Sequence, residues 1–174
     1  MAGLDWLNAL PGASAQAELL RCCGSLRWSQ AMAARRPYGG EAALFEAAAG
    51  EWDALSPADW LEAFSKHPRI GDAGASAPGT SATSAWSATE QSRVQAAADA
   101  VRHALATGNQ TYAARFGYTF IVCATGKGAE EMLSLLERRL DNPPEVELRV
   151  AAAEQAQITC LRLAKLLAEH VEVG

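Results

Sequence analysis

From Pro143-Pro144 to about His170 the chain places Ala153, Ala156, Cys160, Leu163 and Leu167 three and four residues apart. Side chains at that spacing share one face of an α-helix, so the segment predicts a long helix that must bury a stripe against other elements. The same period recurs upstream. Residues 130–140 put Met132, Leu133, Leu136 and Leu140 inward with Glu137, Arg138 and Arg139 outward, and residues 41–52 put Leu44, Phe45 and Ala48 on one side. No alternation of strands and helices appears. The run Phe120-Ile121-Val122-Cys123, within 119–124, is too short to classify by period. Helix on helix is the architecture that remains: an all-α bundle of about seven to nine helices, in one domain spanning 1–174.

Capping and breaking residues divide the rest. A short helix over 4–10 closes at Pro11-Gly12, and Ser14 is positioned to cap a helix that reaches Cys23 and stops at Gly24-Ser25. A second short helix carries Trp28, Ala31 and Met32 and ends before Arg36-Pro37. Ser56-Pro57-Ala58-Asp59 supplies an N-cap, a first-turn proline and an acid for a helix with Trp60 and Phe64 on one face. Residues 73–86 hold Gly, Ala, Ser and Thr with almost no large apolar side chain, which predicts an irregular loop serving as a lid or a plain excursion. Ser87-Ala88-Thr89-Glu90 then restarts a helix with a capping-box pattern. Val94, Ala97, Val101 and Leu105 face inward on it. It should end near Gly108, with a separate short helix over 109–115.

The formal net charge is −5 and no basic run exists, so a nucleic-acid partner is not expected. No apolar run approaches a membrane span. The first residues lack a basic and apolar leader, and Glu172-Val173-Gly174 is no peroxisomal address, which makes the cytoplasm the expected compartment. Cys22, Cys23, Cys123 and Cys160 contain no Cys-x-x-Cys pair and read as reduced, buried thiols. With no His-x-x-x-His pair and no acid cluster beside a histidine, no metal site is expected.

Three residues stand out for chemistry. His67 lies three past Phe64, on the inward stripe, and Pro68 forces its backbone out of the helical region, so the helix should end there. It reads either as a core histidine closing a helix or as an imidazole aimed at a ligand. Glu90 heads the stripe Glu90, Val94, Ala97, Val101, Leu105, which points its carboxylate toward the core; as the third residue after Ser87 it also fits a capping box with no other duty. Gln91 lies at the edge of that face. Arg162 falls on the stripe Gln155, Thr159, Arg162, Leu166, bordering the apolar one. There it either lays its stem on the core or offers a fork of donors to an anion.

Taken in order, Ala63-Phe64…His67-Pro68-Arg69-Ile70-Gly71-Asp72, Trp86-Ser87…Glu90-Gln91 and Phe116-Gly117-Tyr118…Phe120-Ile121-Val122-Cys123-Ala124…Gly126-Lys127 resemble the 2-oxo-4-hydroxy-4-carboxy-5-ureidoimidazoline (OHCU) decarboxylases. Arg21-Cys22-Cys23-Gly24-Ser25…Trp28, Arg36-Pro37 and Glu147-Leu148…Arg162-Leu163 extend the resemblance over nearly the whole chain. It implies a cofactor-free, all-α carboxy-lyase of urate breakdown, commonly a homodimer, that converts OHCU to (S)-allantoin. By the same resemblance His67 is the catalytic acid, Pro68, Ser87, Glu90, Gln91 and backbone groups of Ile121, Val122 and Cys123 match substrate-contacting positions, and Arg162 matches the family's late arginine, expected to bind substrate. A carboxylate close to His67 would hold the imidazole's orientation and favour its charged form, the catalytic role expected of Glu90. The competing expectations are a hydrolase or lyase acting on another ureido compound, and a non-catalytic helical interaction module.

Overall fold

The computed structural model describes residues 2–67 and 88–170, without the side chains of 88–97. Among the described residues it has eight helices and no strand, as the periodicity predicts: α1 (Ala2–Ala9), α2 (Gly12–Cys23), α3 (Leu26–Ala34), α4 (Glu41–Asp53), α5 (Pro57–Phe64), α6 (Ala88–Phe116), α7 (Ala129–Leu140) and α8 (Pro144–Glu169). They fall into two compact units, Met1–Lys66 with Leu148–Gly174, and His67–Glu147. The expected 73–86 loop lies outside the described residues.

In the first unit α2 packs on α3 and α3 on α4. Leu7, Leu19, Trp28, Met32, Leu44, Phe64 and Leu163 are fully buried. Burying an indole strands its N–H unless a carbonyl receives it. Here each does: Trp28 donates to Ala48 O at 3.0 Å, Trp52 to Ala152 O at 3.0 Å and Trp60 to Trp52 O at 3.1 Å. Gly24, at φ 87°, caps α2 in the left-handed conformation, donating to Leu20 O, and Ser25 is then the N-cap of α3, accepting from Trp28 N–H. Ser56 and Asp59 form the full capping box on α5.

The start of α2 differs from expectation. Pro11 is the N-cap and Ala15 N–H already bonds Pro11 O at 2.9 Å, so the helix begins before Ser14 has anything to cap. On α8 the polar residues Gln155 and Thr159 are buried while Ala153 is exposed, so the buried face is rotated toward the stripe taken as its border. Gln155 can be there because its amide donates to Thr159 Oγ1 at 3.2 Å and reaches Cys23 O at 3.5 Å. Burial pushes the Cys22 and Cys23 thiols up to about 11, in keeping with unreactive core cysteines.

Gly3 is buried in α1, and a Cβ there would stand 2.0 Å from the Leu167 carbonyl oxygen of α8. Backbone meets backbone at this point, so no side chain can yield. Gly3→Ala is therefore expected to cost about 1–3 kcal/mol, as overpacking does. A thermal melt followed by circular dichroism should show a Tm several degrees lower; an unchanged Tm would mean α1 shifts freely.

In the second unit α6 packs on α7. The core is Leu105, Tyr112, Phe120, Val122, Met132 and Leu136. The helix does not stop at Gly108: α6 runs 29 residues without a break. A glycine inside a helix costs about 1 kcal/mol relative to alanine, which weakens a helix without ending it. Its use here is close approach, since a Cβ on Gly108 would fall 2.6 Å from a Leu136 methyl of α7.

Candidate functional site

α5 ends at Phe64, three residues sooner than Pro68 alone would dictate. Ser65 N–H still bonds Leu61 O, but Lys66 N–H turns to Ala63 O at 3.2 Å, a tighter i→i+3 closure, and Ser65 Oγ donates to Glu62 O at 2.6 Å. These bonds use up the last carbonyls of the helix. His67 consequently sits in a bend after the helix, half-buried, rather than on its last turn. Pro68 and Ser87 lie outside the described residues. Glu90 and Gln91 occupy the first turn of α6, with their side chains outside the described set.

Ile121, Val122 and Cys123 lie in the irregular segment joining α6 to α7, all three buried. Neither a helix nor a strand supplies their backbone partners, so side chains do. Asn109 Oδ1 accepts from Phe120 N–H at 3.0 Å and from Thr119 Oγ1 at 3.3 Å. Arg139 Nη1 donates to Ile121 O at 2.8 Å, and Lys127 Nζ donates to Cys123 O at 2.8 Å. Among the described residues, the N–H and C=O of Val122 have no hydrogen-bond partner, although Val122 is only 8% exposed. A short run of backbone is thus held at Phe120 N–H, Ile121 O and Cys123 O, while the N–H groups of Ile121 and Val122 and the Val122 C=O find no partner among the described residues.

The Arg139 anchor is the feature that sequence reading misplaced. Arg139 is not on the solvent face of α7; it is buried, seven residues beyond Met132 and three beyond Leu136 on the inward stripe. Its Nε and Nη2 fork onto Glu147 Oε1 at 2.7 and 2.5 Å. Glu147, wholly buried, also accepts from the Tyr112 hydroxyl and from Asn142 Nδ2, the latter at 2.7 Å. The guanidinium lies 4.6 Å from the centroid of the Phe120 ring, adding a cation–π contact. Burial and the carboxylate of Glu147 both push the Tyr112 phenol well above its ordinary range, so it stays a donor. The signal available in the sequence was the position of Arg139 on the apolar stripe.

Arg162 belongs to the other unit. Its Nη1 lies 3.4 Å from Cys22 O, and the residue lines an open groove of about 170 Å³ with Glu18, Arg21, Cys22, Lys165 and Glu169. Three cations and two carboxylates share that groove, and most of the Arg162 fork is not engaged by backbone. Of the candidate residues described, His67, the backbone of Glu90 and Gln91, and the Ile121-Val122-Cys123 run fall within the second unit. An imidazole can deliver a proton, and free backbone donors and acceptors can read a cyclic amide.

A family model described as OHCU decarboxylase matches residues 8–164. Over 156 residues the chain is 39% identical to the uric acid degradation bifunctional protein TTL of Arabidopsis thaliana, covering 87% of this chain and 47% of that protein. The match thus spans about half the length of that relative. A crystal structure of OHCU decarboxylase in the presence of (S)-allantoin is 37% identical, with a TM-score of 0.69 over 87% of this chain and 97% of that one. The crystal structure of an (S)-allantoin synthase, 20% identical, shares the fold: its TM-score is 0.68, covering 94% of this chain and 53% of that one.

Proposed function

The chain belongs to the OHCU decarboxylase family, and from that premise we propose that it removes CO₂ from 2-oxo-4-hydroxy-4-carboxy-5-ureidoimidazoline to form (S)-allantoin in urate degradation. The observation that carries the reading is the family match across 8–164 together with a chain that covers 97% of a solved OHCU decarboxylase at 37% identity. The match runs through both compact units, which supports treating 1–174 as one functional domain.

The chemistry asks little of a protein beyond placement. The bond between the ring carbon and its carboxylate breaks, and the electron pair passes into the conjugated imine of the imidazoline ring. A proton from the His67 imidazolium then reaches the ring carbon that bears the ureido group, the hydroxyl on the neighbouring carbon gives up its proton to become the ring carbonyl as the former imine nitrogen takes one up, and solvent restores the proton to His67. Delivery to one face sets one enantiomer. The protein contributes orientation, partial desolvation of the carboxylate and that single proton. Imidazole is the side chain suited to holding a transferable proton near neutral pH. Glu90 orients the ring and favours its charged form. Ser87, Gln91 and the backbone at Ile121, Val122 and Cys123 hydrogen-bond the ureido and ring amides, and Pro68 contacts the ring; Arg162 matches the family's late arginine, a fork of donors suited to an anionic substrate. No coenzyme has a part in this scheme, because the substrate ring itself accepts the electron pair.

In this reading the enzyme acts as a homodimer, which the family resemblance supports, and in the cytoplasm. Among the described residues no helix is long and apolar enough to cross a membrane.

The test uses urate ¹³C-labelled at the carbon that leaves as CO₂, with urate oxidase and 5-hydroxyisourate hydrolase generating OHCU in the tube. Added protein is expected to speed replacement of the carboxylate resonance by those of CO₂ and bicarbonate. An unaltered decay rate would overturn the proposal.

A further inference from the structure

Arg139 is an unusual choice for a residue on a buried helix face. Exchanging a buried ion pair for apolar side chains of similar volume is often neutral or stabilising, so fold stability alone gives little reason for an arginine here. What an apolar side chain could not do is hold Ile121 O, to which Arg139 Nη1 donates at 2.8 Å. That carbonyl and the Val122 N–H belong to one planar trans peptide unit, so their bonds point in opposite directions. Fixing the carbonyl on the guanidinium therefore fixes the direction of the N–H, away from the Arg139–Glu147 cluster. This N–H, like that of Ile121, finds no partner among the described residues, although both residues are buried. A buried backbone donor of this kind is rare unless something else receives it.

We propose that Arg139, braced by Glu147, is a positioning residue that sets the plane of the Ile121–Val122 peptide and so aims the Val122 N–H at an acceptor oxygen of the substrate. The inference rests on the decarboxylase reading, in which this run contacts the substrate. Arg139 need not touch the substrate. Its fork divides the work: Nε and Nη2 spend themselves on Glu147 Oε1, which locks the guanidinium plane, and Nη1 is left to hold the carbonyl. The Phe120 ring beneath the guanidinium limits its tilt. Asn109 and Lys127 hold the residues on either side, at Phe120 N–H and Cys123 O, so rotation of the single 121–122 peptide is the freedom that Arg139 removes.

The test compares wild type with Arg139→Lys, which keeps a cation opposite Glu147 but loses the planar fork. (S)-Allantoin binding is measured by calorimetry, the Val122 amide by ¹H–¹⁵N NMR, and kcat and KM in the coupled assay. In wild type the Val122 amide resonance should shift on adding (S)-allantoin. In Arg139→Lys we expect Kd and KM to rise about tenfold, the worth of one misdirected hydrogen bond, with a smaller fall in kcat and with the Val122 shift lost. A purely structural role would lower Tm and leave affinity and the Val122 shift of the folded protein unchanged, which would overturn the proposal. If Arg139→Lys does not fold, Glu147→Gln takes its place, keeping an acceptor oxygen while weakening the brace, with the same outcomes deciding. A wild-type protein that forms (S)-allantoin without shifting the Val122 amide would defeat this inference alone. One that forms none would defeat the decarboxylase reading, and the inference with it.

Discussion

His67→Asn is expected to lower kcat for OHCU decarboxylation by about 10²–10⁴-fold, the usual contribution of a positioned general acid, while helix content and Tm stay at wild-type values. Asparagine keeps a polar group of similar reach but has no transferable proton at neutral pH. The fold should tolerate it because the local backbone is held by neighbours: Ser65 N–H to Leu61 O, Lys66 N–H to Ala63 O and Ser65 Oγ to Glu62 O. His67 itself follows the helix as a half-buried residue in a bend. Steady-state kinetics beside far-ultraviolet circular dichroism checks both halves. A variant with undiminished kcat would remove His67 from the role of acid and leave the proton to another group.

Glu147→Ala should produce the largest loss of stability of any single change, about 3–5 kcal/mol, because it leaves a buried guanidinium without its partner. Through the entropy of unfolding of a chain this size, that corresponds to a fall in Tm on the order of 10 °C. The cause extends past one ion pair. Glu147 accepts from Arg139, from the Tyr112 hydroxyl and from Asn142, so its removal strands three donors, two of them on wholly or largely buried side chains. Each stranded buried donor carries its own desolvation cost. The paired replacement Arg139→Met with Glu147→Leu should recover much of the loss, since no buried charge remains, even though Tyr112 and Asn142 still lack an acceptor. Urea denaturation of the single and double variants measures the difference. A loss below about 1 kcal/mol in Glu147→Ala would show that water reaches the cluster and screens it.

How much of this was legible in the sequence depended on whether a signal was local. The capping residues at Ser56-Pro57-Ala58-Asp59 and the left-handed Gly24 act within a few residues of themselves, and both proved to be boundaries of the expected kind. The 3.6-residue period of the apolar side chains gave the all-α class. Gly108 misled because a glycine that ends a helix and one that admits a neighbouring leucine look the same until Leu136 of α7 is in view. Gln155 and Thr159 read as a border stripe in the sequence because their burial depends on partners, one of which, Cys23 O, is 132 residues away. Arg139 reads as a solvent-facing residue for the same reason. Hydropathy treats an arginine as polar wherever it falls, and only the meeting with Glu147, Tyr112 and Ile121 O makes its burial affordable.

The candidate site was legible in part. The order of the His67, Glu90-Gln91 and Ile121-to-Cys123 motifs pointed to the family that the chain proves to match. Sequence reading also placed the backbone of 121–123 among the substrate contacts without any account of what would hold an irregular segment still. The structure supplies that account in Asn109, Arg139 and Lys127, side chains lying outside every one of the singled-out motifs except for Lys127. A residue that works by gripping a carbonyl leaves no spacing rule behind, since its target is the backbone of whatever residue happens to sit there.

The most direct measurement is circular dichroism at an allantoin band while urate, urate oxidase and 5-hydroxyisourate hydrolase generate OHCU in the cuvette. The account predicts rapid growth of an (S)-allantoin signal on adding the protein, absent with His67→Asn. Slow decay to racemic allantoin, unchanged by the protein, would contradict it.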